Sequence, residues 1–125
     1  MSPEQEIAID LTEDERSLLY QGLAQWGGPA KGTEPMAVAM GFSGVSNLYS
    51  VGYRIAGDIR AELPLTIADW RRAVLATEVM FASDIVGAGL EWQGITGWDD
   101  LTTLHLIRSV QRKILHATAP ILRGE

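Results

Sequence analysis

Apolar residues recur every three or four positions along most of this chain, and five polar residues able to cap helices punctuate the pattern. That spacing commits the backbone to helices: a strand would need a period of two, and no six-residue alternating run stands out. Thr12 followed by Glu15 forms a capping box, and Glu13, Asp14 and Glu15 sit where a helix N-terminus favours acid. Leu18, Leu19, Gly22, Leu23 and Trp26 make one apolar face, which Gly27-Gly28-Pro29 ends. Thr33-Glu34-Pro35 opens a short second helix that Gly41 stops. Ser43 caps a third, to about Glu62, whose face gathers Val45, Leu48, Val51, Gly52, Ile55, Ala56, Ile59 and Leu63. Gly52 and Ala56 are small and four apart, which invites close approach by another helix. Thr66 with Asp69 opens the most apolar segment, Ile67 to about Gly87, about 30 Å long if helical. Asp99 caps a last helix from about Asp100 to His116, with Leu104, Ile107, Val110, Ile114 and Leu115 facing inward. The expected fold is all-α: one domain over residues 1–125, a bundle of about five helices around a long apolar central helix. Residues 1–10 read as a loose tail.

At 125 residues one core is expected, and the absence of cysteine excludes disulfides and thiolate metal sites. The stretch Met1 to Asp10 lacks the apolar run of a signal or transit peptide. The longest uncharged stretch, residues 35–53, is broken by Gly41, Ser43 and Gly44, so no membrane-spanning helix is expected and the location reads as cytoplasmic. The net charge of -6 disfavours nucleic acid and anionic membranes as partners. This charge is uneven. Residues 1–20 hold six acids and one Arg, residues 73–100 hold five acids and no base, and residues 101–125 hold four bases and one acid.

Little in the chain points to catalysis. No HExxH, GxSxG, P-loop or GxGxxG pattern occurs. His105 and His116 lie on one solvated helical face with Thr102, Ser109 and Lys113. They are about 16 Å apart along the axis, too far to share a metal. No enzyme activity, metal or cofactor is implied. Glu78 falls within the arc of Ile67, Val74, Phe81 and Ile85, so it is expected to be buried and bonded to Arg108 or Gln111 of the last helix.

Two segments suggest binding. Glu91 to Asp100, EWQGITGWDD, reads as a glycine-rich loop holding Trp92 and Trp98 among carboxylates. Aromatic anchors ringed by acid suit a basic protein partner. The candidate contact residues are Asp84, Glu91, Trp92, Trp98, Asp99 and Asp100, with both indoles also able to fold back into the bundle. The string AMGFSGVSNLYSVGYRI, from Ala39 to Ile55, resembles the second helix-turn-helix of AraC-type transcription regulators. That resemblance implies a recognition face of Ser46, Asn47, Ser50 and Arg54. Segment 33–62, however, carries two Arg against three acids, so no nucleic-acid partner is expected.

Three further stretches carry a broader resemblance. They are Leu18-Leu19 through Gly27-Gly28-Pro29-Ala30, Asp69 through Gly89, and Leu106 through Lys113. Together they resemble small uncharacterised helical proteins of actinobacteria. A small, acidic, cysteine-free helical chain without catalytic motifs also resembles the immunity proteins of secreted polymorphic toxins. That resemblance implies a protein that neutralises a toxin domain by binding it, with a helix-turn-helix regulator as the alternative.

Overall fold

The computed structural model describes residues 5–28 and 30–124. Among them lie β1 (Glu6–Ile7), α1 (Glu13–Ala24), α2 (Glu34–Ala39), α3 (Val45–Arg60), β2 (Leu65–Thr66), α4 (Ile67–Ala82), α5 (Gly89–Thr96) and α6 (Asp100–Leu122). The chain is an all-α bundle, with six helices among the described residues rather than five. No helix among them is long and apolar enough to cross a membrane. The additional helix is α5, which its glycines disguised as a loop.

Most start signals act as their chemistry predicts. Thr12 Oγ1 accepts the Glu15 N–H at 3.1 Å, and Glu15 Oε1 accepts the Thr12 N–H at 2.8 Å, completing the capping box. Thr66 caps α4 through the Asp69 N–H, and Asp99 caps α6 through the Thr102 N–H. Ser43 does not cap α3. The cap position is Gly44, and the first free N–H of α3, from Val45, goes to Glu34 Oε1 at 3.1 Å, reaching across from α2. At the end of α1, Gly27 has φ +88°; Pro29 lies outside the described residues.

α4, the expected central helix, packs on α1, α3, α5 and α6, and α1 shares the centre with it. The α1 face of Leu18, Leu19, Gly22 and Leu23 is buried, and α1 packs on α3, α4 and α6. A methyl group on Gly22 would lie 2.7 Å from Thr77 Cα, so the backbones of α1 and α4 meet here at a distance only glycine permits. Gly52 on α3 plays no such part, since nothing lies within 4 Å of where its methyl would be. Leu48, Ile55 and Ile59 of α3, Trp70, Ala73 and Met80 of α4, and Val110 of α6 complete the core.

The apolar segment breaks earlier than its composition implied. Ser83 Oγ accepts the N–H groups of Ile85 and Val86, drawing the chain out of helical geometry. The Ala88 N–H then folds back onto the Met80 carbonyl at 2.8 Å and satisfies that helix end. Ile85, placed beyond the helix, is 93% exposed.

The last helix is longer than expected, running through Pro120. Its buried side is Thr103, Ile107, Val110, Ile114 and Thr118, whereas Leu104 and Leu115 face solvent. The helix is thus turned from the expected orientation.

Part of the expected loose tail is docked. Glu6 and Ile7 pair antiparallel with Thr66 and Leu65, and Trp70 Nε1 donates to the Ile7 carbonyl at 2.9 Å. Residues 1–4 of that tail lie outside the described residues.

Candidate functional site

The buried carboxylate bonded to the last helix exists, but it is Glu15 rather than Glu78. Glu15 is 2% exposed and accepts from Lys113 Nζ at 2.6 Å, from the Ser109 hydroxyl and from the Thr12 N–H. Burial pushes its carboxyl up. The hydrogen bonds from Lys113, Ser109 and Thr12, with the Lys113 charge, outweigh burial and hold it down at about 2. Ser109 and Lys113, expected on a solvated face, are the edge of α6 that turns toward α1. Glu78 is only half-buried and has no hydrogen bond or ion pair among the described residues. Arg108 is exposed and donates to Gln111 Oε1 at 3.0 Å within its own helix. The Glu78 expectation failed because α4 turns Trp70, Ala73, Thr77 and Met80 inward, and the arc of Val74, Glu78 and Phe81 is only half-buried at the edge of that face.

The acidic stretch forms a corner built by α5 and the start of α6. Trp92 is fully buried and holds that corner together. Its Nε1 donates to Thr103 Oγ1 at 2.9 Å, the Thr103 hydroxyl donates to the Asp99 carbonyl, and its ring stands edge-on to Phe81 at 6.1 Å. Trp92 is therefore a core residue and not a contact residue for a partner. Trp98 is half-buried against the same core. Asp84, Glu91, Asp99 and Asp100 are exposed and take part in no ion pair among the described residues. The side-chain and backbone hydrogen bonds from Thr102 hold the Asp99 carboxyl below its ordinary range. Exposed aliphatic side chains, Ile85, Leu90 and Leu101, stand among these acids. The corner offers carboxylates and apolar area with no lysine or arginine between residues 73 and 100.

A second acidic surface was not singled out as a pocket in the sequence. Glu6, Asp10, Glu13, Asp14 and Glu62 are all exposed around the N-terminal arm, the start of α1 and the end of α3. A cavity of about 350 Å³ opens here, walled by Ile9, Leu11, Ile59, Leu63 and Trp70, with Asp10, Arg16 and Glu62 also lining it. A neighbouring hollow of about 380 Å³ shares Arg16 and Glu62 and reaches Tyr20, over whose ring the Arg60 guanidinium sits at 3.9 Å. Glu62 follows the α3 cap with φ +60°, while the Leu63 N–H bonds back to the Asp58 carbonyl. That left-handed position normally favours glycine. A glutamate there was the visible signal, readable only once the helix end was known.

The two-helix corner of α2 and α3 is present. Ala37 is buried at its crossing, and Gly41 turns it with φ +98°. Arg54, the one base of the implied recognition face, is occupied by Asp69 at 2.8 Å and Asp58 at 3.1 Å. Desolvation pulls its pKa down, but the hydrogen bonds it donates to Asp69 and Asp58, with their charges, raise it on balance. Arg72 pairs with the same Asp69 and donates to the Gly41 carbonyl, tying the corner to α4. His105 and His116 are exposed, and no group of three His, Cys, Asp or Glu among the described residues could hold a metal.

No protein-family model, no curated protein and no solved structure matches the chain.

Proposed function

We propose that this chain is a cytoplasmic immunity-type protein that binds and neutralises a basic protein toxin domain. The observation that carries the reading is the α5–α6 corner, where four exposed carboxylates, in no ion pair among the described residues, stand among exposed Ile85, Leu90 and Leu101. Such a surface attracts a basic cleft at long range and offers apolar area at contact. Trp92 holds the corner rigid, so its acids are presented without a cost in chain ordering. The contact residues in this reading are Asp84, Glu91, Asp99 and Asp100, with Trp98 at the edge. Binding suits the chain better than catalysis, because the most strongly perturbed carboxyl, Glu15, is held ionised and cannot serve as an acid at neutral pH.

The α2–α3 corner favours a second reading, a helix-turn-helix regulator. Two features count against it. Arg54 is neutralised, and the Glu34 carboxylate occupies the N-terminus of α3, where a phosphate would otherwise dock.

The test pairs the chain with each protein domain encoded by the genes next to its own, measuring affinity, association rate and rescue of growth from any that is toxic. Nanomolar binding is expected. Asp100→Asn and Glu91→Gln should slow association severalfold at low salt, and the effect should fade at high salt. Absence of toxin binding, together with tight and steeply salt-dependent binding to the chain's own promoter duplex, would replace this reading with the regulator.

A further inference from the structure

We propose that the cavity between the N-terminal arm, α1 and the end of α3 receives an aliphatic cationic side chain, lysine or arginine, from the basic partner. This rests on the reading of the chain as a binder of a basic protein. Three observations converge. First, the walls are apolar and come from three separate elements: Ile9 and Leu11 before α1, Ile59 and Leu63 at the end of α3, and Trp70 on α4. At about 350 Å³ the space is at the small end for a ligand site, suited to one extended side chain rather than a cofactor. Leu63 is half exposed at its edge, an apolar side chain left without cover.

Second, the charge at the cavity selects the sign of the head group. Arg16 is already satisfied: its Nη1 donates to the Leu11 carbonyl at 2.6 Å and pairs with Glu62 at 3.2 Å. Asp10 has no partner among the described residues, and Glu6, Glu13 and Asp14 lie exposed on the same segment. The lining therefore has one carboxylate more than it has cations. An anionic ligand would have to displace Glu62 from Arg16 and then face Asp10. A cationic head meets Asp10 directly.

Third, the shape of a lysine or arginine matches this division. Its methylene stem lies along apolar surface while its head stays at the polar mouth. The arm is also held in place, by the β1–β2 pairing and the Trp70–Ile7 hydrogen bond, so the cavity exists before a partner arrives.

The probes are n-butylammonium and n-butylguanidinium, with n-butyrate and n-butanol as matched controls, added to the full chain and followed by amide NMR. Saturable shifts confined to Ile9, Asp10, Glu62, Leu63 and the Trp70 indole are expected with the two cations and not with butyrate. Asp10→Asn should weaken cation binding at least threefold with an unchanged melting temperature, and Leu63→Ala should weaken it through the lost wall. Butyrate binding as tightly as butylammonium, or no saturable shift with either cation, overturns the proposal. The partner gives an independent arm. Asp10→Asn should lower toxin affinity about tenfold. Unchanged toxin affinity in Asp10→Asn and Leu63→Ala overturns the cavity while leaving the immunity reading intact. Loss of that reading would instead show as no toxin binding by the parent chain, with butylammonium still bound.

Discussion

Replacing Glu15 by glutamine keeps the size and the capping geometry of the side chain and removes only its charge. In the folded chain the carboxyl titrates at about 2 against an ordinary 4.5. At about 1.4 kcal/mol for each tenfold change in acidity, that difference amounts to about 3 kcal/mol of folding stability at pH 7. For a domain whose whole stability is about 5–15 kcal/mol this is a large share. The sign follows from which state takes up the proton first. Above pH 4.5 both states are ionised at this position and the full stabilisation is present. As the pH falls, the unfolded chain protonates first, and near pH 2 the stabilisation is gone. Urea unfolding followed by tryptophan fluorescence measures this. At pH 7 Glu15→Gln should be less stable than the parent by about 3 kcal/mol, or about 10 °C in melting temperature. At pH 3 the gap should fall to less than half. An equally stable variant at pH 7, or a gap that does not narrow in acid, would refute the assignment of Glu15 as an ionised anchor for Lys113 and Ser109.

Three other substitutions separate the packing arguments. Gly22→Ala should destabilise by about 2–3 kcal/mol in thermal unfolding, because its methyl meets the Thr77 backbone and α1 and α4 must move apart. Gly57→Ala should stabilise by about 0.5–1 kcal/mol, since it lies exposed inside α3 with nothing within 4 Å of the added methyl. Trp92→Ala should cost about 3–5 kcal/mol and loosen the α5–α6 corner, visible as faster amide exchange around Thr103.

The parts of the fold that were legible in the sequence are those fixed by neighbours. The Thr12–Glu15 box, the Thr66 and Asp99 caps and the Gly41 turn depend on residues three or four apart, and the structure forms each of them. Gly22 and Thr77, by contrast, are neighbours only through packing, so the close approach of α1 and α4 left no local trace. Glu15 looked like a cap and nothing more, because Lys113 and Ser109 lie on the far helix. Glu78 went wrong for a related reason: packing turns Trp70, Ala73, Thr77 and Met80 of α4 inward, which leaves the arc of Val74, Glu78 and Phe81 at the edge of the core. Of the candidate site, the exposed acids were readable from composition, and the fate of Trp92 was not. An indole between Glu91 and Gln93 is equally consistent with a surface anchor and a core plug, and its burial and its bond to Thr103 decide. The cavity required three distant segments to meet and could not be read from any one of them.

The separation between Glu15 and its partners also has a temporal side. On a ribosome adding about 5–20 residues per second, α1 is made about 5–20 seconds before Lys113 exists. During that interval Glu15 is an ordinary solvated carboxylate, and the leucines of α1 rely on α3 and α4 for cover. Arrival of α6 both desolvates the carboxylate and supplies its counter-charge, so the pair closes the bundle rather than starting it. An interaction absent from the folding transition state acts mainly on how slowly the finished protein opens, and unfolding rates of Glu15→Gln against its refolding rates would place this pair before or after that barrier.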